Sequence, residues 1–226
     1  MIKCVTFDLD DTLWEIEPVI TKAEKMFYKW LEKKYPIVTK QHSIESLRKL
    51  IRQTSLENLD IKHDLTKVRI LSYTKLKDLY KLPEDMPKKS FDYFMKYRND
   101  VTLYKNVENI LDSMKKNYIL GTITNGNASL KTIGIEKYFD FEVKASEVGF
   151  MTPNPKIFEY ALKLTKCKPS EMLHIGDSYD KDIIGAKSVN MNYIWLRHDS
   201  KIEKDIKTEN IVDNFSQIPE SIKKLG

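Results

Sequence analysis

From Leu103 onward, short apolar runs alternate with stretches whose apolar residues recur at helical spacing. The apolar runs are Ile119–Ile123, Phe141–Ala145, Met172–Ile175 and Tyr193–Leu196. Strands that are joined by helices of this length usually lie parallel, with the helices packed on both faces of the sheet. The pattern therefore predicts an α/β fold built on a parallel sheet.

A further apolar run begins at Val5 and leads directly into Asp8, Asp10 and Asp11. In an extended chain the side chains of Asp8 and Asp10 point to the same side, so their carboxylates would repel each other. A cation would relieve this repulsion, and Mg²⁺ prefers carboxylate oxygens together with water and substrate phosphate oxygens. Asp8 could act as a nucleophile and Asp10 as a general acid and base. The alternative is an acidic turn in which Asp11-Thr12 caps a helix.

Polar residues follow two more of the predicted strands. They are Thr124, Asn125 and Gly126 after one strand, and Gly176, Asp177 and Asp182 after another. Ligands of parallel sheets bind at the carboxyl ends of the strands, so we expect these residues to converge with the acids of the first strand. Each group alone is also explained by an ordinary turn or a helix cap. Their convergence is what indicates a functional site.

The residue types suit a phosphorylated ligand beside a metal ion. The hydroxyl and turn amides at Thr124 and Asn125 can donate hydrogen bonds to phosphate oxygens without neutralising the acids. Asp177 would complete the metal site with Asp8 and Asp10. Asp182 would lie nearby as a direct or water-mediated ligand.

The segment from Trp14 to Asp100 differs, because its apolar residues recur at helical spacing throughout and suit a small antiparallel bundle. It holds 19 Lys and Arg against 13 Asp and Glu, whereas the rest of the chain holds 19 against 20. This positive charge could draw anionic substrates toward a nearby site. The alternative is a lysine-rich helix surface in contact with water.

Composition excludes several classes of protein. The chain has 226 residues and a net charge of +5, with 41% hydrophobic and 31% charged residues, as is ordinary for a soluble enzyme. Its sequence shows no membrane-spanning apolar run and no nucleic-acid-binding motif. We expect no signal peptide, because Asp8 interrupts the first apolar run. Cys4 and Cys167 lack metal-ligand spacing and indicate a reduced compartment, so we expect a cytoplasmic protein.

Three motifs together resemble motifs I, II and IV of the haloacid dehalogenase-like (HAD) superfamily. They are Phe7-Asp8-Leu9-Asp10-Asp11-Thr12-Leu13, Thr124-Asn125-Gly126, and Gly176-Asp177-Ser178 with Asp182. The helical segment directly after motif I is similar to the C1-type cap of that superfamily. The resemblance implies a Rossmann-like core formed by residues 1–13 and 101–226, with an inserted helical cap at residues 14–100.

The resemblance also implies a cofactor and a mechanism. Mg²⁺ would be bound by Asp8, the backbone carbonyl of Asp10, and Asp177. A phosphoryl group would be transferred to Asp8, and the product would then be hydrolysed by a water molecule that Asp10 activates.

One position departs from the family pattern. Members with this arrangement usually have a lysine directly before the Pro-x-Pro of motif III, whereas this chain has Thr152. Threonine carries no positive charge, so the phosphoryl group and the acids would lose a fixed counter-charge. Lys156, at the start of the next helix, could reach in with its flexible stem. It could equally be a solvent-exposed helix residue, and Lys144 is a further candidate.

The sequence thus predicts a Mg²⁺-dependent phosphatase that acts on a small phosphorylated metabolite. The predicted catalytic residues are Asp8, Asp10 and Lys156. A phosphomutase of the same superfamily would share almost every motif. A dehalogenase is disfavoured, because Asp10 supplies the proton that a leaving alcohol needs and a halide ion does not. A catalytically weakened binding protein is suggested solely by Thr152.

Overall fold

A computed structural model of the chain describes residues 1–197 and 210–225. Its centre is a six-stranded sheet in which every pair of neighbouring strands is parallel, in the order β3-β2-β1-β4-β5-β6. The strands are β1 (Cys4–Phe7), β2 (Ile119–Thr124), β3 (Phe141–Lys144), β4 (Met172–Gly176), β5 (Asn192–Leu196) and β6 (Ile211–Val212). The predicted α/β fold with a parallel sheet is confirmed.

The first strand lies in the middle of the sheet, although it comes first in the sequence. Phe7 is paired with Thr122 of β2 on one side and with Ile175 of β4 on the other. The carboxyl ends of these three strands are therefore level with one another. Since β1 is covered by neighbours along both edges, its short run of apolar residues is fully buried.

Helices follow the strands as the sequence pattern predicts. They are α6 (Val107–Lys115), α7 (Leu130–Ile133), α8 (Ala145–Val148), α9 (Pro155–Thr165), α10 (Ile184–Ser188) and α11 (Ile218–Leu225). The apolar side of α9 packs against the sheet through Ile157, Phe158 and Ala161. The elements α8, α11 and β6 were not predicted. Those of four residues or fewer, α8 and β6, are too short to produce a clear periodicity.

The chain forms two compact units. One comprises residues 1–15, 102–126 and 134–226 and contains the sheet. The predicted core range 101–226 includes residues 198–209 and 226, which lie outside the described part of the chain. The other unit comprises residues 16–101 and 127–133.

The second unit is almost entirely helical. Its helices are α1 (Ile16–Lys34), α2 (Pro36–Gln41), α3 (Ile44–Glu57), α4 (Leu65–Tyr80) and α5 (Met86–Arg98), together with the short α7. Phe27, Tyr73 and Phe94 meet in its core, with ring centroids 5.0 Å and 6.5 Å from that of Phe27. Among the described residues no helix combines the length and the apolar character needed to cross a membrane.

Candidate active site

Asp8 is the first residue after β1, and its backbone N–H donates to the carbonyl of Ile175 in β4 at 2.9 Å. The chain then turns, because the N–H groups of Thr12 and Leu13 both donate to the carbonyl of Leu9. Asp11 has the left-handed φ of 61° that this turn requires, and aspartate tolerates this conformation better than most residues. The turn brings the two acids Asp8 and Asp10 to the carboxyl end of the central strand.

A buried tryptophan orients Asp10. The indole N–H of Trp14 donates to Oδ1 of Asp10 at 2.9 Å, and Trp14 is completely buried. A buried indole N–H needs an acceptor, so this bond satisfies the ring and fixes the carboxylate at the same time. This role of Trp14 was not predicted, since a single tryptophan in an apolar pattern does not reveal its hydrogen-bond partner.

Three carboxylates meet at the end of β1. One oxygen each from Asp8, Asp177 and Asp182 lie within 4.8 Å of one another, although Asp8 and Asp182 are far apart in the sequence. Removal from water and the nearby carboxylates of Asp182, Asp10 and Asp177 raise the pKa of Asp8 well above its usual value. Such crowding of hard oxygen ligands fits a divalent cation, which would offset the repulsion.

The convergence expected from the strand ends is therefore present for Asp8, Asp177 and Asp182. Among the described residues, these three carboxylates are the group of His, Cys, Asp and Glu side chains close enough together to hold a metal ion. The side chain of Asp10 does not belong to this group.

Asp182 is held by the segment that follows β4. It lies in a single π-helical turn, Tyr179–Ile183, and its Oδ2 accepts from the N–H of Ser178 at 2.9 Å. Its carboxylate packs directly against Gly176, where an added Cβ would lie 2.3 Å from Oδ2. Gly176 therefore has to lack a side chain for Asp182 to reach the cluster.

We expect Gly176→Ala to displace Asp182 and to weaken binding of a divalent cation. The Cβ would overlap a carboxylate that is buried and cannot withdraw freely, so we also expect a loss of about 1–3 kcal/mol in the free energy of unfolding. Calorimetric titration with Mg²⁺ and denaturant unfolding would measure both effects. Gly121→Ala is the control for steric overlap as such, because an added Cβ there would lie 2.2 Å from the ring of Phe141, which is not a member of the carboxylate cluster. We expect it to lower the free energy of unfolding and to leave the cation affinity unchanged. Unchanged cation affinity in Gly176→Ala would contradict this placement of Asp182.

A second tryptophan supports Asp177. The indole N–H of Trp195, at the end of β5, donates to the backbone carbonyl of Asp177 at 2.8 Å. Trp195 is buried, and its ring packs against that of Tyr179 with centroids 5.2 Å apart. This contact ties the loop after β4 to the neighbouring strand and was not predicted from the sequence.

The polar residues at the carboxyl end of β2 are mostly hydrogen-bonded within the protein. The hydroxyl oxygen of Thr124 accepts from the N–H of Gly126 at 3.0 Å, which closes a tight turn. The side chain of Asn125 makes two bonds to Thr152, from Nδ2 to the hydroxyl oxygen at 2.8 Å and from the N–H of Thr152 to Oδ1 at 2.9 Å. The threonine in place of the usual lysine is thus buried and bound to the motif after β2.

Neither candidate lysine is seen in contact with the acids. Lys156 is exposed in the first turn of α9, and its ammonium lies 4.4 Å from the ring centroid of Phe150. Lys144 forms an ion pair with Glu142 at 2.6 Å. The catalytic role of Lys156 stays a prediction.

The fold and the site define an α/β protein with a cluster of carboxylates at the ends of parallel strands. Residues 2–190 match the family model of the haloacid dehalogenase-like hydrolases. The chain therefore belongs to the haloacid dehalogenase-like hydrolase family, and the family prediction is confirmed. Because the members of this family are hydrolases, the prediction of an enzyme is confirmed as well.

Two curated relatives that match most of the chain are named as phosphatases. The chain is 28% identical over 202 residues to the 5-amino-6-(5-phospho-D-ribitylamino)uracil phosphatase of Escherichia coli strain K12, covering 87% of this chain and 84% of the relative. It is also 28% identical over 236 residues to the glyceraldehyde 3-phosphate phosphatase of Methanothermobacter thermautotrophicus, covering 97% and 99%.

A solved structure with the same fold carries a different activity in its description. The crystal structure of 2-haloacid dehalogenase from Pseudomonas syringae pv. tomato DC3000 matches with a TM-score of 0.91 and 31% identity, over 100% of both chains. The similar proteins therefore include, by their names, two phosphatases and a dehalogenase.

Proposed function

We propose that this chain is a Mg²⁺-dependent phosphatase that hydrolyses a small phosphomonoester through a phosphoryl group carried on Asp8. The observation that supports this most strongly is the cluster of Asp8, Asp177 and Asp182, with Asp10 held beside it by an indole N–H. The two phosphatase relatives, which act on a sugar phosphate and on a phosphorylated ribityl compound by their names, support the same class of substrate.

The acids fit a divalent cation, which Asp8, Asp177, Asp182 and the backbone carbonyl of Asp10 would hold. When bound, the ion supplies positive charge that offsets both the carboxylates and the substrate phosphate. Thr124, Asn125 and Gly126 would bind the phosphate oxygens. Thr124 accepts from a backbone N–H, so its own hydroxyl hydrogen can be donated to a ligand.

In the first step, an oxygen of Asp8 attacks the phosphorus atom and the ester bond to the leaving oxygen breaks. Asp10 donates a proton to that oxygen, so that the substrate leaves as an alcohol. In the second step, Asp10 takes a proton from a water molecule that attacks the phosphoryl group. Inorganic phosphate is released and Asp8 is regenerated as a carboxylate. The bond from Trp14 keeps Asp10 in one orientation for both proton transfers.

The core and the helical segment would have different roles. We propose that residues 14–100 act as a C1-type cap and that residues 1–13 and 101–226 form the catalytic core. We also propose a cytoplasmic location, because neither Cys4 nor Cys167 forms a disulfide and free cysteines are common in reducing compartments.

The test is phosphate release from a panel of small phosphomonoesters, with Mg²⁺ and with a chelator. The panel includes glyceraldehyde 3-phosphate and the ribitylaminouracil phosphate of the bacterial relative. We expect turnover that requires Mg²⁺. Absence of turnover on every phosphomonoester, with or without metal, would contradict the proposal.

The same assay tests whether Lys156 supplies the positive charge that Thr152 lacks. Lys156→Ala should lower kcat by about a hundredfold if its ammonium leaves the Phe150 ring to contact the phosphate. Lys163→Ala is the matched control, since Lys163 is also exposed but lies in the last turn of the same helix. Equal kcat values in the two variants would remove Lys156 from the catalytic residues. Thr152→Lys then asks whether a fixed charge at the family position raises the rate.

Dehalogenation is the second candidate, favoured by the similarity to the Pseudomonas syringae structure. A halide ion leaves without a proton, so a dehalogenase has no need of the orientation that Trp14 gives to Asp10. Halide release from 2-chloropropionate, measured beside phosphate release, separates the two activities. We expect none.

A further inference from the structure

His174, in the middle of β4, is a completely buried residue that the proposed reaction does not use. Its Nδ1 lies 3.0 Å from the hydroxyl oxygen of Thr6 on the neighbouring strand. Its Nε2 has no hydrogen-bond partner among the described residues and lies 3.7 Å from Oδ1 of Asp182. Buried polar atoms are rarely left without a partner, so this nitrogen needs an explanation.

The hydroxyl of Thr6 decides which nitrogen carries the hydrogen. It has one hydrogen to donate and two acceptors in reach, Nδ1 of His174 at 3.0 Å and the carbonyl of Leu173 at 3.2 Å. Donation to Nδ1 puts the ring hydrogen on Nε2, where it faces the carboxylate of Asp182. Donation to Leu173 would instead turn the bare lone pair of Nε2 toward that carboxylate, and the two would repel each other. The first arrangement is therefore favoured.

The walls around the ring leave it no room to turn away. Phe158 packs edge-on against His174, with ring centroids 5.2 Å apart and an interplanar angle of 84°. Phe158 is itself pressed against Gly185, where an added Cβ would lie 2.3 Å from its ring. Since His174, Phe158 and Thr6 are all fully buried, water has little access to Nε2. The packing around the ring thus keeps Nε2 directed at Asp182.

We propose that His174 is a positioning residue whose Nε2–H holds the carboxylate of Asp182 in the orientation that completes the divalent-cation site. The separation of 3.7 Å is longer than a hydrogen bond, so a movement of roughly 0.7 Å would form one. Asp182 is already bound through its other oxygen to Ser178, and His174 fixes the second oxygen. Partners of metal ligands commonly change metal affinity by about 10- to 100-fold when they are removed. This inference rests on the proposed function, because it assumes that Asp182 takes part in the cation site.

The test compares two amides that imitate the two ring nitrogens separately. Gln in place of His174 can put an N–H near the position of Nε2, whereas Asn can put its amide only near Nδ1. We expect His174→Asn and His174→Leu to weaken Mg²⁺ binding by about tenfold or more. We expect His174→Gln to stay within about threefold of the wild type. The dissociation constant is measured by calorimetric titration of the full chain with MgCl₂ alone.

A purely structural role predicts a different result. In that case all three variants would melt earlier in chelator, but their Mg²⁺ dissociation constants would equal that of the wild type, and the proposal would be overturned. Weaker binding by His174→Gln than by His174→Asn would overturn it as well. If the wild type itself binds no Mg²⁺, the proposed cation site falls and this inference falls with it. If the wild type binds Mg²⁺ and the variants bind it with the same dissociation constant, only the role of His174 is contradicted and the cation site stands.

A second pair of variants changes Thr6, the hydrogen-bond partner of Nδ1, and leaves His174 in place. Thr6→Val has nearly the same shape but cannot donate to Nδ1, so the arrangement with the ring hydrogen on Nε2 loses the hydrogen bond that supports it. We expect weaker Mg²⁺ binding in Thr6→Val and recovery in Thr6→Ser, which restores the hydroxyl. Equal dissociation constants in Val and Ser would overturn the proposal even if the His174 variants fail to fold.

Discussion

The Asp8→Asn variant is expected to release no measurable phosphate from any phosphomonoester, a loss of at least about a thousandfold. Asparagine has almost the same shape, but its amide cannot serve as the nucleophile that carries the phosphoryl group. The measurement is phosphate release with Mg²⁺, together with a search for a phosphorylated protein by mass spectrometry after rapid acid quench. Substantial turnover in this variant would rule out Asp8 as the nucleophile.

The same substitution should stabilise the protein in the absence of metal. Burial and the neighbouring acids raise the pKa of Asp8 in the folded state, whereas it is about 3.9 in an unfolded chain. The folded state therefore holds the proton more strongly, and its stability falls as the pH rises from the unfolded pKa through the folded pKa. Asparagine does not ionise, so Asp8→Asn avoids the loss of stability that the wild type suffers as the pH rises. We expect a melting temperature at least about 2 °C above wild type at pH 7 in chelator, and no gain near pH 3.

Asp180→Asn is the matched control for both effects. Asp180 is an exposed acid in the turn that contains Asp182, so its replacement removes one negative charge near the site without touching the cluster. We expect normal turnover and an unchanged melting temperature. A rise in Asp180→Asn equal to that in Asp8→Asn would attribute the stabilisation to overall charge.

Asp10→Asn is expected to lower kcat by about a hundred- to ten-thousandfold while Mg²⁺ binding changes little. The side chain of Asp10 transfers protons in the proposed mechanism, and it is not a member of the three-carboxylate cluster. The leaving group should set the size of the loss. With an alkyl phosphate both steps need Asp10. p-Nitrophenyl phosphate should still transfer its phosphoryl group to Asp8, because p-nitrophenolate leaves without a proton.

The measurement is burst kinetics with p-nitrophenyl phosphate beside steady-state kinetics with an alkyl phosphate. We expect a burst of nitrophenolate followed by slow turnover in Asp10→Asn. Asp11→Asn provides the comparison, because asparagine also adopts the left-handed conformation that Asp11 has. An unchanged rate in Asp10→Asn with both substrates would remove its acid-base role.

Much of the fold was predictable from local patterns. The four strands expected after Leu103 are present as β2 to β5, with boundaries that differ by one residue or less from the predicted runs. Buried parallel strands appear as continuous apolar runs, and the helices between them show apolar residues at helical spacing. Both patterns can be recognised within a few residues of the sequence. Short elements such as α8 and β6 gave no such signal.

The sequence by itself also determined which carboxylates would converge. Carboxylates that follow β1 and β4 had to meet once those strands were parallel and adjacent, and Asp8, Asp177 and Asp182 do so. The carboxyl ends of parallel strands share one edge of the sheet, so the order of strands and helices was enough to predict this convergence.

Tertiary structure alone decided which neighbours hold these acids. Trp14 bonds to Asp10, Trp195 to the backbone of Asp177, and Thr152 to Asn125. His174 faces Oδ1 of Asp182, and Gly176 leaves room for the other carboxylate oxygen. Each of these side chains fits an apolar or turn pattern in the sequence, and its partner comes from another strand or from across a tight turn. A hydrogen bond depends on distance and direction in space, which local periodicity does not encode.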